Sequence, residues 1–238
     1  LLGRLCGLYD QARPPGPGLD MRQQARPAGF QFGEMSIDES DDRLARLRWS
    51  QEARRQLVVD IRETGVPIYS ICLSAHRRYG LGSSDPAVRA EAARILREAI
   101  DLAADVGVRM IQVAGYFAYY EPESPEARSR YVDGLRSGVA HACERGVMLA
   151  VENIDTIDMA SVSDCLALRD ELASPWFQIY PDVGNLAVHS LDVTAQTTLI
   201  EGAAVGLHLK DARVGEPRRV PFGEGIVPFE SVFRTLEQ

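Results

Sequence analysis

The chain is 238 residues long, 45% hydrophobic and 25% charged, with a formal net charge of −8 at pH 7. That length can bury one sizeable core and fits a single barrel-sized α/β domain. The acidic balance argues against a nucleic-acid or membrane-surface partner, and no apolar run approaches the ~20 residues of a membrane-spanning helix.

The opening LLGRLCGLYD is broken by charge too early for a secretory signal. Within it, GLY at 7–9 reads as a first strand. PPGPG at 14–18 and Pro27 sit where a first helix belongs. Proline inside a helix costs about 3 kcal/mol or more, so that helix is expected to be short, over 19–26, or irregular. FGEMSI (32–37) reads as a strand, and 50–65 as a helix capped by Ser50 and closed by Gly65. IYSICLS (68–74) is a β-branched buried strand. The segment 84–107 is a long helix with Asp85 as cap, Pro86 in its first turn and Gly107 at its end. MIQVAG, a helix over 125–146, VMLAVEN, a helix over 161–173, FQIYPD, a short helix near 192–201 and VGLHLKD continue the alternation.

Near-continuous apolar strands alternating with amphipathic helices argue for right-handed βαβ units closing into a barrel. The count reaches seven strands, the last at 205–211, followed by a helix that begins near Phe229. The expectation is therefore a TIM (β/α)8-type barrel, incomplete at the C-terminus with seven β/α units, and a single domain over 1–238. The four cysteines (Cys6, Cys72, Cys143, Cys165) have neither CxxC nor zinc-type spacing. Reduced thiols in a cytoplasmic protein are expected.

Three residues at strand ends carry the candidate chemistry: Glu152 after VMLAV, Asp182 in YPDVGN and His208 in GLHLK. Barrel strands converge on one mouth, so side chains distant in sequence can share one metal ion there. Two carboxylates and one imidazole suit a hard-to-borderline divalent cation and leave the site open to substrate. Each residue alone has a plainer reading: a solvated strand-end acid, a turn Asp, a core His. Around the mouth, SAHRRYGLGSS places His76, Arg77 and Arg78 on one loop, either as a solvated basic turn or as an anion site. The segment KDARVGEPRRVPFGEG adds Lys210, Arg218 and Arg219 where barrels commonly hold phosphate.

The strings GLY, EMSIDESDDRLARLRWS, CLSAHRRYGLGS, IQVAGY, SPWFQIYPDVGNL, HLKD and VPFGEGIVPFE together resemble the L-ribulose-5-phosphate (L-xylulose-5-phosphate) 3-epimerases, also called hexulose-6-phosphate isomerases, of the xylose-isomerase-like barrels. The resemblance spans nearly all of 30–238. It implies a cofactor of one divalent ion (Mn, Mg, Co or Zn) on Glu152, Asp182 and His208, with Glu152 also catalytic. It further implies a sugar-phosphate substrate met by His76, Arg77, Asn185, Lys210, Arg218 and Arg219, and a role in pentose or ascorbate catabolism. The implied reaction converts L-xylulose 5-phosphate to L-ribulose 5-phosphate through an enediolate, with a homo-oligomer as the possible assembly.

The family's fourth ligand and second proton carrier is an eighth-strand glutamate with no counterpart string here. Weak or absent epimerase activity is therefore expected of the chain alone. Two alternatives stay open: an aldose–ketose isomerase on the same site, and a non-catalytic sugar-phosphate-binding remnant. A multi-zinc endonuclease is disfavoured because the chain has four histidines.

Overall fold

The computed structural model describes residues 7–9, 27 and 29–237. A six-stranded parallel sheet runs in sequence order: β1 (Gly7–Tyr9), β2 (Phe32–Ser36), β3 (Ile68–Leu73), β4 (Met110–Ala114), β5 (Met148–Glu152) and β6 (Phe177–Ile179). Between the strands lie α1 (Asp41–Leu44), α2 (Gln51–Thr64), α3 (Pro86–Val106), α4 (Ala127–Arg145) and α5 (Val162–Leu172). After β6 come α6 (Val183–Val188), α7 (Val193–Thr198), an antiparallel hairpin of β7 (Asp211–Arg213) and β8 (Glu216–Val220), and α8 (Phe229–Leu236).

Local chemistry sets the long helices. Ser50 accepts from the Ala53 amide and Asp85 from the Ala87 amide, each satisfying a free N–H of a first turn. Gly65 and Gly107 end α2 and α3 at φ 65° and 80°, in the left-handed region that disfavours a side chain. Along α3 the buried residues Ala92, Ile95, Leu96, Ala99, Ile100 and Ala103 recur at helical spacing and pack against the sheet. Each fully buried Ile or Leu contributes about 1.5–3 kcal/mol. The main core lies between sheet and helices, and a second, small layer of Met110, Ala150, Tyr180 and Val205 lies on the sheet's other face.

That other face is the inside of a curl. Tyr69 on β3 donates its hydroxyl to the Val205 carbonyl at 2.7 Å, and Glu34 on β2 lies 2.6 Å from His208. Both contacts join the early strands β2 and β3 to the segment that follows β6, so the sheet curls back towards itself.

The expected seventh strand at 205–211 is not regular. Ala204 pairs with Ile179 at the end of β6 and His208 with Asp182 beyond it, each by an isolated parallel bridge. Three residue steps on one side face four on the other, so one extra residue interrupts the ladder, as in a bulge. Pro181 also has no N–H to donate, although its carbonyl accepts from His208 N at 2.8 Å. Beyond His208 the chain turns into the hairpin, which the strand–helix alternation does not foresee. The helix α6 is likewise additional. The expected helix at 19–26 and Cys6 lie outside the described residues, and Cys72, Cys143 and Cys165 are free thiols. Among the described residues no helix is long and apolar enough to cross a membrane.

His76, read from sequence as an anion contact, is fully buried. Its Nε2 lies 3.2 Å from the Ala92 carbonyl, and its Nδ1 has no partner. Burial outweighs that one hydrogen bond and pulls its pKa from 6.5 to about 4. The imidazole is neutral in the fold, whereas the unfolded chain takes up a proton below about pH 6.5. Stability is thus fully present above that pH and falls towards pH 4. Between pH 7.5 and 4.5 this group alone costs about 2–3 kcal/mol. Urea unfolding at the two pH values is expected to show that excess loss in the wild type and not in His76→Gln. Equal losses would remove His76 as the acid-sensitive group.

Candidate metal centre

Parallel register brings the three strand-end residues together. Glu152 closes β5, and Asn153 beyond it carries the pairing forward with its side chain. Asn153 Oδ1 accepts from Asp182 N at 2.8 Å, and its Nδ2 donates to the Asp182 carbonyl at 3.1 Å. The amide thus stands in for a strand neighbour and holds Asp182 level with Glu152. Asp182 in turn bridges His208. The result is a cluster in which one ligand atom each from Glu152, Asp182 and His208 lies within 4.8 Å of the others.

Each member is oriented by its neighbours. Asp182 caps α6 through Oδ1, which accepts from Asn185 N at 2.9 Å, and its Oδ2 lies 3.2 Å from Lys210 Nζ. Glu152 Oε2 accepts from Gln112 Nε2 at 2.6 Å, and Glu152 Oε1 lies 2.6 Å from His208 Nδ1. The imidazole's Nε2 is 2.6 Å from Glu34 Oε2.

The charges are strongly coupled. Burial opposes an imidazolium at His208, but the carboxylates of Glu34 and Glu152 override it and lift its pKa well above the usual value. Burial raises the Glu152 pKa, partly offset by His208 and reinforced by the Asp182 charge. Glu34 ends below its usual value: burial is outweighed by His208 together with hydrogen bonds from His208, Ser70 and Tyr180. Two carboxylates and an imidazole converging at this spacing fit a divalent cation.

The expected substrate residues separate into three groups. Asn185 and Lys210 join the ligand cluster, with Lys210 Nζ donating to Asn185 Oδ1 at 2.6 Å and Asn185 Nδ2 to the Asn153 carbonyl at 2.8 Å. Arg77 and Arg218 lie in a second, aromatic cluster. Arg77 donates to Tyr116 Oη at 2.9 Å and covers the rings of Tyr116 and Tyr119 at 5.3 Å each. Arg218 donates to Asp155 at 2.7 Å and is near enough to Arg77 for the two like charges to interact. His76 and Arg219 form the third group. His76 faces α3, and Arg219 is exposed with φ 66°.

Sequence reasoning overlooked Glu34, Ser70, Gln112, Asn153, Asp155, Tyr116 and Tyr119. The available signal was polarity inside apolar strands, at Glu34 in FGEMSI and Gln112 in MIQVAG.

The family described as "Xylose isomerase-like TIM barrel" matches residues 22–238. An L-ribulose-5-phosphate 3-epimerase of Escherichia coli K12 is 49% identical over 233 residues, covering 98% of this chain and 82% of the relative. An equally identical relative of the same name comes from Escherichia fergusonii, with the same coverage. Among solved structures, D-allulose 3-epimerase from Methylomonas sp. superposes with a TM-score of 0.79 at 20% identity, covering 99% of this chain and 80% of the other. D-psicose 3-epimerase from Clostridium cellulolyticum H10 superposes at 0.83 with 15% identity, covering 98% and 81%.

Asn153→Ala leaves the buried Asp182 N–H without its partner, while the Asp182 carbonyl keeps the Leu186 N–H at 3.3 Å. An unpaired buried group costs about 1–3 kcal/mol, so a loss of that size in urea unfolding is expected, with weaker metal binding in calorimetry. A variant as stable as the wild type would contradict the bracing role.

Proposed function

The chain belongs to the xylose isomerase-like TIM barrel family, and we propose that it is a divalent-metal-dependent sugar-phosphate 3-epimerase interconverting L-xylulose 5-phosphate and L-ribulose 5-phosphate. The observation that carries this reading is the cluster of Glu152, Asp182 and His208, in a chain 49% identical to L-ribulose-5-phosphate 3-epimerase. A divalent ion (Mn, Mg, Co or Zn) on these three residues supplies Lewis-acid stabilisation of negative charge on the substrate's carbonyl oxygen.

Glu152 is the base that takes the proton from carbon 3, beside the carbonyl. Gln112 holds one of the Glu152 oxygens, which restricts how the carboxylate meets the substrate. Inversion also needs a proton delivered to the opposite face. The family resemblance gives that task to an eighth-strand glutamate, which has no counterpart among the described residues.

Lys210 and Asn185, bonded to each other beside Asp182, suit substrate hydroxyls. Arg77 and Arg218, paired with Glu39 at 3.6 Å and Asp155 at 2.7 Å, suit the phosphate, since planar guanidiniums match its oxygens. A cytoplasmic location and a place in carbohydrate catabolism go with such a substrate.

The test is deuterium incorporation at carbon 3. The manganese-loaded chain in D2O with L-xylulose 5-phosphate is expected to exchange that proton, read by NMR. Glu152→Gln is expected to slow exchange by at least ~100-fold. Exchange unchanged in the variant would remove Glu152 as the base, and formation of an aldose product would favour the isomerase reading instead.

A further inference from the structure

Glu34 is 3% exposed, a carboxylate in the middle of a buried parallel strand. Such a position is costly unless the charge is paired and hydrogen-bonded. Glu34 satisfies both conditions. A register shift between Gly33 and Glu34 sets Glu34 opposite Ser70 on β3, and Ser70 Oγ donates to Glu34 Oε1 at 2.5 Å. The remaining oxygen, Oε2, is the one 2.6 Å from His208 Nε2.

The imidazole is held on its face as well. The Tyr180 ring centroid lies 4.9 Å away with a 60° tilt. Gly206 backs that ring so closely that a Cβ there would come within 2.3 Å of it. Glu34 is outside the group of three whose ligand atoms converge, and it reaches that group only through the histidine.

An imidazole has one lone pair to give. If its proton sits on Nε2, the lone pair is on Nδ1, the nitrogen that faces Glu152. A carboxylate on the far nitrogen fixes both the tautomer and the ring plane, and raises the basicity of the ligating nitrogen. We infer that Glu34 is a positioning residue of the metal centre: it accepts the Nε2–H of His208 and so commits Nδ1 to the ion. The inference rests on the metal-centre reading proposed above.

Two measurements on the full chain test it, with Zn2+ as the probe ion. In calorimetric titration, Glu34→Gln is expected to weaken Zn2+ binding by about 10- to 100-fold while circular dichroism remains that of the wild type. In 15N NMR of the Zn2+-loaded wild type, His208 is expected as the Nε2–H tautomer with a downfield, hydrogen-bonded ring proton. A proton on Nδ1 in that spectrum overturns the inference even if Glu34→Gln does not fold. Equal affinity and an unchanged spectrum in the variant overturn it while leaving the metal centre in place. Absence of Zn2+ binding by the wild type removes both.

Discussion

A single imidazole bridged by two carboxylates ties this structure together. His208 lies between Glu34 on the second strand and Glu152 on the fifth, at 2.6 Å from each. Its own segment pairs with the neighbouring backbone through isolated bridges rather than a regular ladder. Three stretches far apart in sequence therefore meet through one ring. In a low-dielectric interior such charge-assisted bonds are strong, and removing any one partner leaves an uncompensated charge. The same bonds that help to curl the sheet also orient the groups on its inner face.

From that bridge the site divides into an inner and an outer part. The inner part is anionic and braced by amides: Asn153 mimics a strand neighbour for Asp182, Gln112 holds Glu152, and Lys210 balances Asp182. The outer part is cationic and aromatic, with Arg77 over Tyr116 and Tyr119 and Arg218 on Asp155. In the proposed reading, the inner end would take the cation and the outer end the phosphate of the substrate. The two ends use different chemistry, so binding and proton transfer can be altered separately.

Much of the fold is legible in the sequence because it is local. Ser50, Asp85 and Ser161 cap helices by bonds spanning two or three residues, and Gly65 and Gly107 stop them by their φ angles. The three strand-end residues of the cluster are also legible, since a strand's end can be read from its own residues. The rest depends on register across the barrel. Whether Glu34 points at Ser70 is decided by a shift between two strands, and nothing in FGEMSI announces it. Pro181 and one extra residue break the seventh strand, although VGLHLKD has the composition of a buried one. His76 was misplaced for the opposite reason: its loop is basic, but the backbone turns this one side chain inward against Ala92.

The account depends on Glu152, Asp182 and His208 acting as one site for one ion. Manganese titration of the chain, followed by electron paramagnetic resonance, measures this directly when wild type is compared with Asp182→Asn. The asparagine keeps an oxygen for the cap on α6 but loses the charge, so folding is preserved while a ligand is removed. The account predicts one tightly bound ion per wild-type chain and its loss in the variant. No stoichiometric binding by the wild type, or binding indifferent to Asp182→Asn, would contradict it.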